Sequence, residues 1–315
     1  MDERTTILSL RGVTGAIGGL LASILIPLLY GANGANMGWS VTAMVISVIG
    51  FVCMLPVGFL AKERVDSERE EEATFKELFG ALIQNKNLFI IILVRFLFLL
   101  TYTMQVLNPI FAEYVLGNET INSLLAMLIS VPSIVLAVVL PMLCRRFDKA
   151  RMLLVFMILY AVTSVAQYFV GYANLGVFLL FTTARAIGYG GFTALIYMFI
   201  PDCIEYGQYT TGQRNAGTSF CLISFVSKLN SAIISSLTAF VIAAMGFSAT
   251  NVTAQGRAGV WVTYTLFAAV GCIVAIPILL KYYKLRDKDI AHIIDCNNGL
   301  ISKEECEARI AQGSK

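Results

Sequence analysis

The chain alternates long apolar runs with short polar ones, and the runs have the length of membrane-crossing helices. Eight of them stand out, at approximately 12–32, 39–61, 88–112, 121–143, 152–172, 174–200, 216–246 and 258–281. A helix rises 1.5 Å per residue, so about 20 residues cross a hydrocarbon layer about 30 Å thick. The seventh run exceeds that length, which predicts a tilted span or one that takes in part of a loop. Between the second and third runs lies the one long hydrophilic stretch, AKERVDSEREEEATFKELFGALIQNK, over 61–86. Its apolar residues Phe75, Leu78, Phe79 and Leu82 recur at helical spacing, which predicts a short amphipathic helix on the membrane face.

Composition narrows the class. Hydrophobic residues make up 57% of the 315 and charged residues only 14%, against about 25% charged in ordinary soluble domains. Mean hydropathy is +0.76. Such a chain cannot cover a water-exposed surface with polar groups, so it reads as an integral, mostly helical membrane protein. The net charge of +3 is small and no basic domain points to nucleic acid. The seven cysteines are scattered without a CxxC pair and there is one histidine, His292, so neither a zinc nor a redox site is supported. No removable leader is expected from the start MDERTTILSLRG.

Charge placement adds topology. Lysines and arginines gather in alternate loops, among them Arg4, Arg11, Lys62, Arg145, Arg146, Lys149, Arg214 and Lys281, while the opposite loops hold only Arg257. The positive-inside rule makes the rich side cytoplasmic and places both termini there, as an even number of spans requires. The chain then divides into two helices over 1–61, a cytoplasmic central loop over 62–87, six spans over 88–281 and a cytoplasmic tail over 282–315. Gly12, Gly15, Gly18 and Gly19 mark a narrow face in the first span, suited to close helix approach. Pro132, inside the fourth span, predicts a break, either a hinge or a static kink.

Charged and polar residues inside the runs are the candidate chemistry. Lys228 lies in the seventh span, with Ser224 and Ser231 four before and three after it on one helical face. An ammonium there can hydrogen-bond sugar hydroxyls or pair with carboxylates; structural pairing is the plainer alternative. Arg185 is the deepest arginine, and no acidic residue stands at its depth on another span. A charge in lipid costs about 2.5–3.5 kcal/mol or more, which places Arg185 inside the bundle. Arg95, about a third of the way into the third span, either snorkels to the surface or finds a partner on another span. Arg11 is a headgroup anchor or a site residue. Asp202, Glu205 and Arg214 on one side, and Arg145, Arg146 and Asp148 in the short motif RRFDK, are suited to gating contacts between span ends. No nucleophile–base or metal cluster is visible, so an enzyme is not expected.

A family resemblance attaches to these residues. PDCIEYGQYTTGQRNAG followed by SFVSKLNSA resembles the signature loop and eleventh helix of the glycoside–pentoside–hexuronide:cation symporters, which include the melibiose permeases. The matching positions are Asp202, Glu205-Tyr206-Gly207, Arg214 with Gly217, and Lys228. RTTILSLRGVTGAIGGLLASILIPLL resembles the fourth loop and fifth helix, RRFDK the loop between helices eight and nine, and KYYKLRDKDIAHI the family's end. The resemblance implies an all-α polytopic membrane protein with a partial major-facilitator fold, about eight transmembrane helices and both termini cytoplasmic. About four helices would precede the first run, including those that carry the family's cation carboxylates. It also implies sugar or glycoside uptake coupled to Na⁺ or H⁺ by alternating access, in the cell membrane and with no other cofactor. Arg11 and Ser224 would contact the sugar, Lys228 would lie beside sugar and cation, and Arg185 would serve gating or structure. An inactive fragment, one chain of a split transporter whose other helices come from a separate partner chain, and a non-transporting membrane partner or sensor are the alternatives.

Overall fold

The computed structural model describes residues 2–60, 80, 85–118, 120–212 and 216–313. The regular elements among them are all helical. In chain order they are α1 (Asp2–Leu60), α2 (Lys86–Phe98), a 3-10 turn (Leu99–Tyr102), α3 (Thr103–Ile110), a π segment (Phe111–Val115), α4 (Thr120–Cys144), α5 (Lys149–Val170) and α6 (Leu175–Ile196). Then come α7 (Phe199–Thr211), α8 (Ala216–Ala244), α9 (Ala254–Val262), a second π segment (Thr263–Phe267), α10 (Ala268–Tyr282), α11 (Asp287–Asn297) and α12 (Lys303–Gly313). Of the predicted surface helix over 61–86 only Gly80, Asn85 and Lys86 are described, and Arg214 and the side chain of Arg11 lie outside the described residues.

Six stretches are long and apolar enough to cross a membrane among the described residues: Lys86–Val115, Ile121–Cys144, Lys149–Val170, Leu175–Thr211, Ser219–Ala244 and Ala254–Tyr282. They coincide with the last six runs of the sequence. The first two runs, expected as separate spans, are instead one continuous helix, α1, packed against α4. The polar break at 31–38, GANGANMG, carries neither proline nor charge, so no residue there removes a helical backbone donor. At 1.5 Å per residue this rod is about 88 Å long, well beyond one hydrocarbon layer of about 30 Å. Of the expected glycine face, a Cβ added at Gly15, Gly18 or Gly19 meets nothing within 4 Å among the described residues, and the surroundings of Gly12 lie outside them.

Close approaches lie on α6, among other helices. A Cβ at Gly188 would stand 2.9 Å from the Phe156 carbonyl and Tyr160, and one at Gly190 2.7 Å from Ser133 Oγ. These two glycines let α5 and α4 press onto α6, which gives the six-span bundle its centre. Polar caps set the helix starts: the Asp148 carboxylate accepts from Ala150 N at 3.0 Å, and the Asn85 side chain accepts from Leu88 N at 3.1 Å. Pro132 leaves α4 unbroken, and the next residue, Ser133, donates its hydroxyl to the Ile129 carbonyl at 2.8 Å. Two apolar cores stack along the bundle. One, toward the basic end, holds Phe98 on Phe192 with ring centroids 3.5 Å apart. The other holds Phe111 on Tyr264 at 4.7 Å, with Phe178 and Trp261. A third, small core joins α11 and α12 to α7 through Ile290, Ile293 and Cys306 against Tyr206 and Tyr209.

Candidate functional site

Helix α8 shows three sectors at helical spacing. Ser219, Ile223, Asn230, Ile234 and Thr238 are buried, against α2 and α3 among others. Phe225, Leu229, Ile233, Leu237 and Phe240 form an exposed apolar stripe, suited to lipid. Between these sectors lies an exposed stripe of small and polar residues, Cys221, Ser224, Lys228, Ala232 and Ser235. Lys228 and Ser224 therefore share one open face, and that face is not the apolar one. Ser231, expected beside them, is half-buried and donates to the Ser227 carbonyl at 2.9 Å.

Arg95 does not snorkel. It is 8% exposed, and its guanidinium bonds Ser227 Oγ from Nε at 3.2 Å and from Nη2 at 2.9 Å. Nη2 also donates to Tyr197 OH at 2.9 Å, and the guanidinium lies 4.6 Å from the centre of that ring. Next to it on α2, the Phe96 carbonyl accepts from Asn230 Nδ2 at 2.9 Å.

Arg185 is fully buried, and its hydrogen-bond partners among the described residues are neutral groups of its own bundle. Nη1 donates to Gln167 Oε1 at 2.8 Å, and Nη2 to Tyr160 OH at 3.1 Å and to the Tyr264 carbonyl at 2.9 Å. The rings of Tyr160 and Tyr264 lie 5.2 and 5.1 Å away, within range of cation–π attraction. The acidic partner that the sequence reading looked for on another span is thus not what holds it. Tyr264 sits in the π segment, where a widened turn leaves a carbonyl open to a side-chain donor. Tyr264 OH in turn donates to Asn108 at 3.1 Å, which makes Asn108 a cross-helix acceptor.

At the basic end the expected gating residues divide. Lys149 is the hub: its ammonium pairs with Asp202 of α7 and, at 3.2 Å, with Asp287 of α11. Its backbone N–H donates to Asp287 at 2.9 Å, and Asp287 N to Asp148 at 3.3 Å. Burial pushes the Asp287 carboxyl above the usual carboxylate range, against the pull of Lys149. Glu205 accepts from Asn297 Nδ2 at 3.2 Å, which ties α7 to the tail. Asn85 donates to the Cys203 carbonyl at 2.6 Å, and a Cβ at Gly207 would stand 2.8 Å from Asn85 Nδ2. Gly207 therefore leaves the space that this cross-link needs. Arg145 and Arg146 are exposed. Sequence reasoning named Asp148, Asp202 and Glu205, and Lys149 only as the last residue of a motif suited to gating contacts, but passed over Asp287, Asn297 and Asn85. Lys149 stood in the RRFDK motif, which was the available signal.

Comparison with known proteins agrees with this architecture. The profile of the family described as MFS/sugar transport protein matches residues 1–287. An uncharacterised symporter of Bacillus subtilis is 26% identical over 306 residues, covering 93% of this chain and 65% of its own length. The isoprimeverose transporter of Lactiplantibacillus pentosus is 25% identical, covering 90% of this chain and 61% of its own. The lactose permease of Lactobacillus delbrueckii subsp. bulgaricus is 25% identical, covering 84% of this chain and 43% of its own. The chain thus spans less than two thirds of the length of these relatives. Six spans and these similarities make it a multi-pass protein of the cell membrane, and a match over residues 1–287 means that the chain belongs to the MFS/sugar transport protein family.

Proposed function

We propose that the protein takes part in secondary active transport of a sugar or glycoside, coupled to Na⁺ or H⁺ and working by alternating access. The observation that carries this reading is the open polar stripe of α8, where Lys228 and Ser224 share an exposed face beside the apolar stripe of the same helix. An ammonium with serine hydroxyls one turn away can donate to and accept from the hydroxyls of a sugar. The relatives described as an isoprimeverose transporter and a lactose permease support a glycoside as the cargo. In this reading Lys228 and Ser224, with Arg11, contact the sugar, and Lys228 also senses the coupling cation. The spans from 88 to 281 move as one half, and the contacts of Lys149 with Asp202 and Asp287 hold its cytoplasmic end in one gating state.

The test is uptake by the 315-residue chain in proteoliposomes, with a panel of radiolabelled glycosides and pentosides, with and without an imposed Na⁺ or proton gradient. Gradient-dependent accumulation of at least one glycoside is expected. Equal uptake with and without either gradient, or none for any sugar, overturns the proposal.

A further inference from the structure

Lys228 makes no ion pair among the described residues, so its direction is set by the rotation of α8 about its own axis. That rotation is fixed by bonds on the neighbouring residues. Arg95 grips Ser227, the residue before Lys228, along one edge of its guanidinium, Nε at 3.2 Å and Nη2 at 2.9 Å. Ser227 sends its single hydroxyl proton to the Ile223 carbonyl at 2.6 Å, so its oxygen meets Arg95 with lone pairs only. The second proton of Nη2 reaches Tyr197 in the turn between α6 and α7. Asn230, two residues after Lys228, is fastened to Phe96, the residue after Arg95. Adjacent residues of α2 thus hold α8 on both sides of Lys228.

We infer that Arg95 is a positioning residue for Lys228: it sets α8 so that the ammonium stays on the open polar stripe, and it ties that setting to the α6–α7 turn. Each residue turns a helix by about 100°. A slip of that size in one sense would carry Lys228 to the direction now held by Leu229, on the apolar stripe, and Leu229 onward towards the buried sector. Arginine suits the task because one planar fork serves Ser227 with two nitrogens and Tyr197 with a third proton; a lysine has one nitrogen and no fixed edge. The inference rests on the reading of Lys228 as a sugar-side cation, and its test is separable from that reading.

The experiment places Lys228→Cys or Leu229→Cys in the 315-residue chain in proteoliposomes. Labelling by a water-soluble methanethiosulfonate is followed peptide by peptide by mass spectrometry. With Arg95 present, position 228 should label at least tenfold faster than position 229. Arg95→Gln should bring the ratio below threefold, and Arg95→Lys should not restore it. Ser227→Ala, which keeps the charge and removes one acceptor, should give an intermediate ratio and serves if Arg95→Gln does not fold. A ratio unchanged by Arg95→Gln, or by Ser227→Ala where that variant stands in, overturns the inference, as does a ratio near one in the parent. An Arg95-dependent ratio in a chain that takes up no sugar would remove the transport reading and leave the positioning role standing. Gradient-driven uptake with an Arg95-independent ratio would do the reverse.

Discussion

Arg185 and Lys228 are two cations in consecutive spans of the chain, and the fold treats them in opposite ways. Arg185 is wrapped by Gln167, Tyr160 and the Tyr264 carbonyl from two other helical elements, with aromatic faces beside it. Lys228 stands exposed on a stripe of small polar residues. The difference shows that depth alone does not leave a cation open to a ligand. A buried guanidinium whose two terminal nitrogens find neutral acceptors becomes part of the core, even with its Nε lacking a partner among the described residues. A cation left open on a membrane helix is the one available to a ligand.

Replacing each cation should separate these cases, and the core one should show the larger effect. Arg185→Leu strands buried acceptors on Gln167, Tyr160 and Tyr264, each costing about 1–3 kcal/mol. A loss of about 3 kcal/mol or more is expected, read as a lower unfolding midpoint with a thiol-reactive dye reporting on buried Cys203 and Cys272. An unchanged midpoint would break the comparison at its core end. Next in size is Lys149→Ala, which leaves Asp202 and the partly exposed Asp287 facing each other without their cation. About 2 kcal/mol should be lost, and α11–α12 should become sensitive to limited proteolysis while the spans stay intact.

Lys228→Ala sharpens the other end. Its midpoint should stay within about 0.5 kcal/mol of the parent, while gradient-driven sugar uptake falls at least tenfold, about 1.4 kcal/mol. A large drop in midpoint with proportionate loss of uptake would make Lys228 a second Arg185. The smallest effect is expected from Gly207→Ala. The new methyl displaces the Asn85 amide and its bond to Cys203, worth about 1 kcal/mol, so the midpoint should fall slightly; no shift would mean that Asn85 adapts at no cost.

The last six apolar runs predict the six spans to within four residues, except that the span begun at Leu175 continues to Thr211 where the run ends at 200, because crossing a hydrocarbon layer is decided by length and apolarity. Which face of each span meets which neighbour is not written in hydropathy. Tyr160 and Tyr264 count as apolar in a run, yet a hydroxyl and a carbonyl from them hold Arg185. Likewise, Lys149 was read as one more basic loop residue because Asp287, which gives it its role, lies 138 residues away. Nor does the polar break at 31–38 end a helix, since glycine and asparagine weaken a helix without forbidding it. The polar stripe of α8, by contrast, was visible in the spacing of Ser224 and Lys228 because both belong to one helix.

The π segment at Thr263–Phe267 has a consequence for the whole of its span. It holds one residue more than an α-helix of that length would, and so it sets the angular phase between α9 and α10. Rewinding the same five residues into ordinary helix, with none removed, would turn α10 by about 100°. Gly271, whose missing side chain lets α10 sit against the Leu97 carbonyl and Leu100, would swing away and a neighbour with a side chain would arrive in its place. The span would keep its length and its apolarity, and would no longer fit its own bundle.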